Sequence, residues 1–219
     1  MERAFVVLFI LAVLLVEPFA QHGLAKLSLQ AQPPPCTCFG PRDTDLNIVY
    51  LHGLDTIAPS WMELQNRAKL HVIAKHLHAR IALPRASGRW LHGSRIAESL
   101  GIIKEASSEC FRRGNFVLLG FSDGANLVNE LFVQCRSDVT STFVAVGPSE
   151  TIPRHSVDWS ACGHFFLVAG RHEPGFSTNQ AYAQQLARRG AKVQFIEHSG
   201  PHELPLKQLA ILLRPHGQQ

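Results

Sequence analysis

Apolar positions recur along this chain in two alternating rhythms. Short runs at Leu46–Leu51, Arg80–Leu83, Phe116–Leu119, Thr142–Val146, His164–Ala169 and Lys192–Glu197 have the length and composition of buried strands. Between them lie longer stretches with helical spacing. Ser60–Leu77 places Leu70, Ile73 and Leu77 on one face, with Ser60 as cap and Glu63 at the capping-box position. A second helix is expected at about Ser94–Arg112, where Ile96, Leu100 and Ile103 recur. A third follows Gly120-Phe121-Ser122-Asp123-Gly124 and runs to Gln134, a fourth covers about Thr178–Arg189 and stops at Gly190, and Glu203–Leu213 closes the chain. Strands alternating with helices through short connections predict a three-layer α/β fold, with a mainly parallel sheet and helices on both faces. No connection is long enough for a large cap domain.

The first 25 residues follow another pattern. Arg3 precedes an apolar run of 13 residues, Ala4–Val16, which Glu17-Pro18 breaks before the small residues Ala20, Gly23 and Ala25. This is the form of a secretory signal peptide over residues 1–25, cleaved after Ala25, and it is short for a membrane span. The expected location is secreted or periplasmic, without stable membrane insertion after cleavage; an uncleaved membrane anchor is the alternative. Residues 26–45, with Gln32-Pro33-Pro34-Pro35 and Gly40-Pro41, read as an extended Pro-rich arm, and 46–219 as one domain. The net charge of +4 comes from scattered basic residues, so a nucleic-acid partner has little support. Five cysteines, Cys36, Cys38, Cys110, Cys135 and Cys162, leave at least one thiol over if disulfides form. Cys36 or Cys38 can staple the arm to the body through Cys110 or Cys135. Zinc is a weak alternative, because Cys36-x-Cys38 lacks a matching second pair.

The candidate chemistry lies at Gly120-Phe121-Ser122-Asp123-Gly124, between a predicted strand and a predicted helix. A Gly-x-Ser-x-Gly in that setting is the nucleophile elbow of α/β-hydrolases, a tight turn that lifts a serine hydroxyl above the carboxyl end of the sheet. A serine needs a histidine base, an acid to orient it and donors for an oxyanion, and in this fold acid and base follow the serine in that order. His202, after the last strand, is the candidate base, with His198 as rival. Glu173, after the penultimate strand, is the candidate acid, with Glu150 and then Asp158 behind it. The amides of Asp123 and Leu54 are the candidate oxyanion donors, and His52 supports the Leu54 loop.

Val49-Tyr50-Leu51-His52-Gly53-Leu54-Asp55-Thr56, followed by Ser60-Trp61, resembles the His-Gly-Leu-Gly-Asp-Thr…Trp opening of the phospholipase/carboxylesterase family, which includes acyl-protein thioesterases. Gly120–Ala125 is similar to that family's Gly-Phe-Ser-Gln-Gly-Gly/Ala elbow. Gly170-Arg171-His172-Glu173-Pro174 falls where the family has Gly-x-x-Asp-Pro, which favours Glu173 as the acid, and His202 occupies the histidine position. The likeness spans roughly residues 46 to 213. One glycine is missing from the first loop, and Glu replaces Asp.

Other residues have plainer readings. His71, His76 and His78 read as a solvated helix face, not as a metal cluster. Arg85, Arg89 and Trp90 either line the substrate site or are ordinary surface packing. The expectation is a serine esterase acting on a small-molecule or lipid ester, with no cofactor and no metal. An acyl thioesterase or lysophospholipase-like activity is the alternative within hydrolases, and a non-catalytic binding module the alternative outside them.

Overall fold

A computed structural model describes residues 36–54, 60–86, 88–90, 96–149 and 158–214, all within one unit of the chain, Pro35–Gln219. The expected signal peptide, the first ten residues of the arm and Glu150 lie outside the described residues. The strands are β1 (Cys36–Phe39), β2 (Asn47–Leu51), β3 (Arg80–Pro84), β4 (Val117–Phe121), β5 (Thr142–Val146), β6 (His164–Gly170) and β7 (Lys192–His198). The helices are α1 (Trp61–His76), α2 (Ile96–Cys110), α3 (Asp123–Val133), α4 (Phe176–Arg188) and α5 (Leu206–Leu212). Among the described residues these strands form one sheet in the order β1-β3-β2-β4-β5-β6-β7, parallel except for β1.

The layers follow from the period of two along each strand. Ile48 and Tyr50 of β2 face a layer built from Leu70, Ile73 and Ala74 of α1 and Leu209 of α5. Val49 and Leu51 face the opposite layer, which holds Leu100 and Ile103 of α2, Leu127, Leu131 and Phe132 of α3, and Leu186 of α4. Both faces of the central strands are therefore dry, as a parallel sheet covered on both sides requires.

Several boundaries differ from the sequence expectation for local reasons. Cys36–Phe39, inside the expected arm, pairs antiparallel with β3 as an edge strand. β4 runs on to Phe121, because Gly120 and Phe121 still pair with Ala145 and Val146. α5 begins at Leu206, not Glu203: Pro205 disfavours a helical residue at 204, so the segment around His202 is loop. A short 3-10 turn at Trp159–Ala161, capped by Asp158, was not anticipated. Two disulfides, Cys38–Cys110 and Cys135–Cys162, leave Cys36 as a buried free thiol. Cys38–Cys110 staples β1 to the end of α2. The sulfurs of Cys36, Cys38 and Cys110 all lie within 4.8 Å of one another, two of them consumed by the disulfide.

The chain order places β3 on one side of β2 and β4 on the other, so the direction of winding reverses between β2 and β4. In an open parallel sheet, the loops leaving the carboxyl ends of two such strands diverge and leave a crevice. The loops after β2 and β4 carry Gly53-Leu54 and Ser122.

Candidate active site

Ser122 sits in a backbone conformation that L-residues rarely adopt, φ 52° and ψ −110°. Its N–H donates to Val146 O at 2.9 Å, which ties the turn to β5. The turn closes only because its neighbours are glycines. A Cβ on Gly120 would lie 2.3 Å from Gly124 O, and one on Gly124 would lie 2.3 Å from Leu51 O. Asp123 opens α3, where the first backbone N–H groups have no carbonyl within the helix to bond. Its carboxylate turns sideways instead, accepting from Trp90 N at 2.8 Å, with Arg89 Nε 3.8 Å from its other oxygen.

The Leu54 loop is braced against this elbow. His52 O accepts from Gly124 N at 3.1 Å and from Trp90 Nε1 at 3.0 Å. The His52 ring is buried, with Nδ1 2.6 Å from Gly53 O and Nε2 3.4 Å from Ala86 N. Trp90 is fully buried, and so fits neither of its two expected roles. It spans from the elbow to the His52 loop as a strut. Arg89 keeps a side chain 57% exposed. Leu54 is exposed at the lip, while Asp55 and Thr56 lie outside the described residues.

Glu173 and His202 meet. His202 Nδ1 is 3.3 Å from Glu173 Oε2, and the carboxylate is 4% exposed against 34% for the imidazole. Gly170 N donates to the other carboxylate oxygen, Oε1, at 2.9 Å. The imidazole packs on Phe121, the residue before Ser122, with ring centroids 4.6 Å apart. Gly53 closes the circle: a Cβ there would lie 3.2 Å from the Phe121 ring and 3.5 Å from Ser122 Cβ.

Of the rival residues, Asp158 is exposed, and hydrogen bonds from the Ser160 side chain and from Ser160 N, the latter at 3.0 Å, hold its carboxyl below the usual range. His198 is buried next to Glu173 on the far side from His202, Nε2 to Oε1 3.8 Å.

Gly147, which sequence reasoning passed over, and Gly170, read there only as part of the Gly-x-x-Asp-Pro match, shape the site. Gly147, after β5, has φ +61°, and a Cβ there would sit 2.6 Å from the His202 ring and 3.0 Å from Glu173 Oε2. Gly170 lies beneath the 198–202 loop, where a Cβ would meet Gly200 O at 2.4 Å. A glycine directly after a strand was the available signal, but nothing in the sequence says which side chain presses on it. Helix α1 supports the same loop from below. Lys69 Nζ donates to Leu204 O at 3.0 Å, and Leu204 N donates to Asn66 Oδ1 at 3.4 Å. A groove of about 660 Å³ beside β7 and α5 begins at the amino ends of β6 and β7, the opposite end of the sheet from Ser122.

No protein-family model and no curated protein matches this chain. Solved structures do. One of the esterases from the fungus Rhizomucor miehei superposes with a TM-score of 0.64 at 15% identity, over 81% of this chain and 78% of that one. The Bacillus cereus carboxylesterase gives 0.59 at 19% identity, over 81% and 91%. This is the α/β-hydrolase fold. The Zea mays acyl-protein thioesterase 2 shares it, with a TM-score of 0.57 at 15% identity over 81% of this chain and 95% of its own. On this fold Ser122 lies in the turn between β4 and α3, Glu173 in the loop after β6 and His202 in the loop after β7.

Proposed function

We propose that the chain is a serine hydrolase that cleaves carboxylic esters through an acyl-enzyme. One observation carries this reading. The buried Glu173 carboxylate lies 3.3 Å from His202 Nδ1, and that imidazole packs beside the strained Ser122 turn.

Ser122 Oγ attacks the ester carbonyl while His202 Nε2 takes the hydroxyl proton. Glu173 accepts a hydrogen bond from Nδ1–H, which leaves Nε2 free as the base and stabilises the imidazolium that forms. The amides of Asp123 and Leu54 donate to the tetrahedral oxyanion, which then collapses and expels the alkoxide, protonated by His202. Water enters, His202 removes its proton, and the same steps release the acid and restore Ser122. This chemistry requires no cofactor or metal. The substrate is a small-molecule or lipid ester. Two disulfides among the described residues support an oxidising compartment, secreted or periplasmic. No helix among those residues is long and apolar enough to cross a membrane.

Labelling with a fluorophosphonate probe tests the reading directly. Wild-type protein is expected to label and Ser122→Ala not to; no Ser122-dependent labelling would leave a binding module on a hydrolase fold. Rates on p-nitrophenyl esters of graded chain length, acyl thioesters and peptides then separate esterase from thioesterase and peptidase.

A further inference from the structure

The Glu173 carboxylate faces two histidines, and the proposed reaction uses only one of them. His198, the last residue of β7, is 5% exposed. Its Nδ1 accepts from Gly200 N at 3.2 Å. An imidazole nitrogen that accepts from an N–H carries no proton, so the neutral ring must carry its proton on Nε2. Among the described residues that Nε2 has no hydrogen-bond partner, and it faces Glu173 Oε1 across 3.8 Å. The distance is too long for a hydrogen bond, and closing by about 0.8 Å would make one. Bonds of catalytic groups are often long in the free protein and tighten only when the reaction develops charge.

We propose that His198 is a positioning residue for the triad acid: its Nε2–H holds Oε1 of Glu173, so that Oε2 stays aimed at His202. This rests on the ester-hydrolase reading above. A carboxylate can rotate about its terminal bond, and among the described residues Gly170 N is the donor that fixes Oε1 from the backbone side. A second donor on Oε1 removes that freedom and leaves Oε2 to the base.

The surroundings keep the ring in its donor form. Burial lowers the pKa of His198, and Lys69 and His202 lower it further, against the raising effects of Glu173 and Glu203. Arg171 N donates to His198 O at 2.8 Å and fixes the backbone, while the Arg171 guanidinium is paired with Glu197 and turned away. Because the folded pKa lies below the ordinary value of about 6.5, stability from a neutral His198 is complete above that pH. It is lost as pH falls toward the folded value.

Three measurements test the proposal. His198→Phe keeps a planar ring but has no donor, and should lower kcat about 10- to 100-fold on a p-nitrophenyl ester at pH 8, with KM within about twofold. His198→Gln restores an N–H near the Nε2 position and should recover most of that loss. It should also unfold less steeply below pH 6.5, since it has no proton to take up. A kcat within twofold of wild type for His198→Phe would overturn the proposal, while Ser122-dependent labelling would still stand for the hydrolase reading. Nitrogen NMR of the ring gives a readout independent of turnover and of how the variants fold. The expected tautomer is protonated at Nε2 and bare at Nδ1, and the opposite tautomer would equally overturn it.

Discussion

Single residues decide whether the pair at the centre of the site stays aligned. Gly147 is the sharpest case, since its Cα faces both His202 and Glu173 and its φ is +61°. Gly147→Ala forces the imidazole aside and strains the backbone. We expect kcat/KM to fall about 100-fold or more, with a stability cost of about 1 kcal/mol or more, read from ester turnover and urea denaturation side by side. Glu173→Gln keeps the shape but loses the charge, and should lower kcat by about 10³- to 10⁴-fold. Asp158→Asn should leave kcat unchanged, because that carboxylate caps a turn elsewhere; Glu150→Gln should also leave it unchanged, and a loss there would reassign the acid. The turn at Ser122 was legible in the sequence because its signal is local, five residues between a strand and a helix. Gly147 and His198 matter through contacts with residues 55 and 25 positions away in the chain, such as Gly147 with His202 and His198 with Glu173, and no local pattern carries that.

At the scale of elements, the alternation of strand and helix was readable because each face of the sheet is dry and its period is strong. What escaped was structure that tertiary pairing creates. β1 has only four residues and follows three prolines, and β3 alone gives it a partner. Trp90 looked like a surface or substrate residue because its segment is polar. Its indole is instead the tie between two loops. Trp90→Phe should fill most of the space yet remove the donor to His52 O, costing about 1–2 kcal/mol. For a domain of this size that lowers Tm by about 2–8 °C in a thermal melt. Loosening the Leu54 loop should also reduce kcat more than it changes KM, which steady-state kinetics would show.

Across the whole molecule, the two disulfides differ in reach. Cys38–Cys110 spans 72 residues and Cys135–Cys162 spans 27. Chain-entropy arguments give about 4.4 and 3.5 kcal/mol respectively, so Cys38→Ser should destabilise more than Cys162→Ser in guanidinium melts. Cys36→Ser should change less than either, since Cys36 belongs to neither disulfide and its thiol makes a 3.5 Å contact with Cys110 Sγ and a 3.8 Å one with Thr37 O. Burial, aided by the nearby Glu109 and Glu105 charges, pushes the Cys36 thiol up to about 11. Native protein at pH 8 should therefore react slowly with iodoacetamide, and unfolded protein quickly, as mass spectrometry would record. The cysteine count predicted one thiol left over, but which sulfurs meet depended on β1 lying against α2.

The three tryptophans also divide the molecule optically. Trp61, at the start of α1, is 74% exposed, whereas Trp90 is 0% and Trp159 is 5%. Iodide in solution should quench the red-shifted emission of Trp61 and leave the blue-shifted remainder nearly intact. In Trp61→Phe the remaining light would come from the strut beneath the elbow and from the aromatic stack around Phe132, where Trp159 packs with ring centroids 5.4 Å apart. A change in that emission when an inhibitor occupies Ser122 would report the elbow itself, without any label added to the protein.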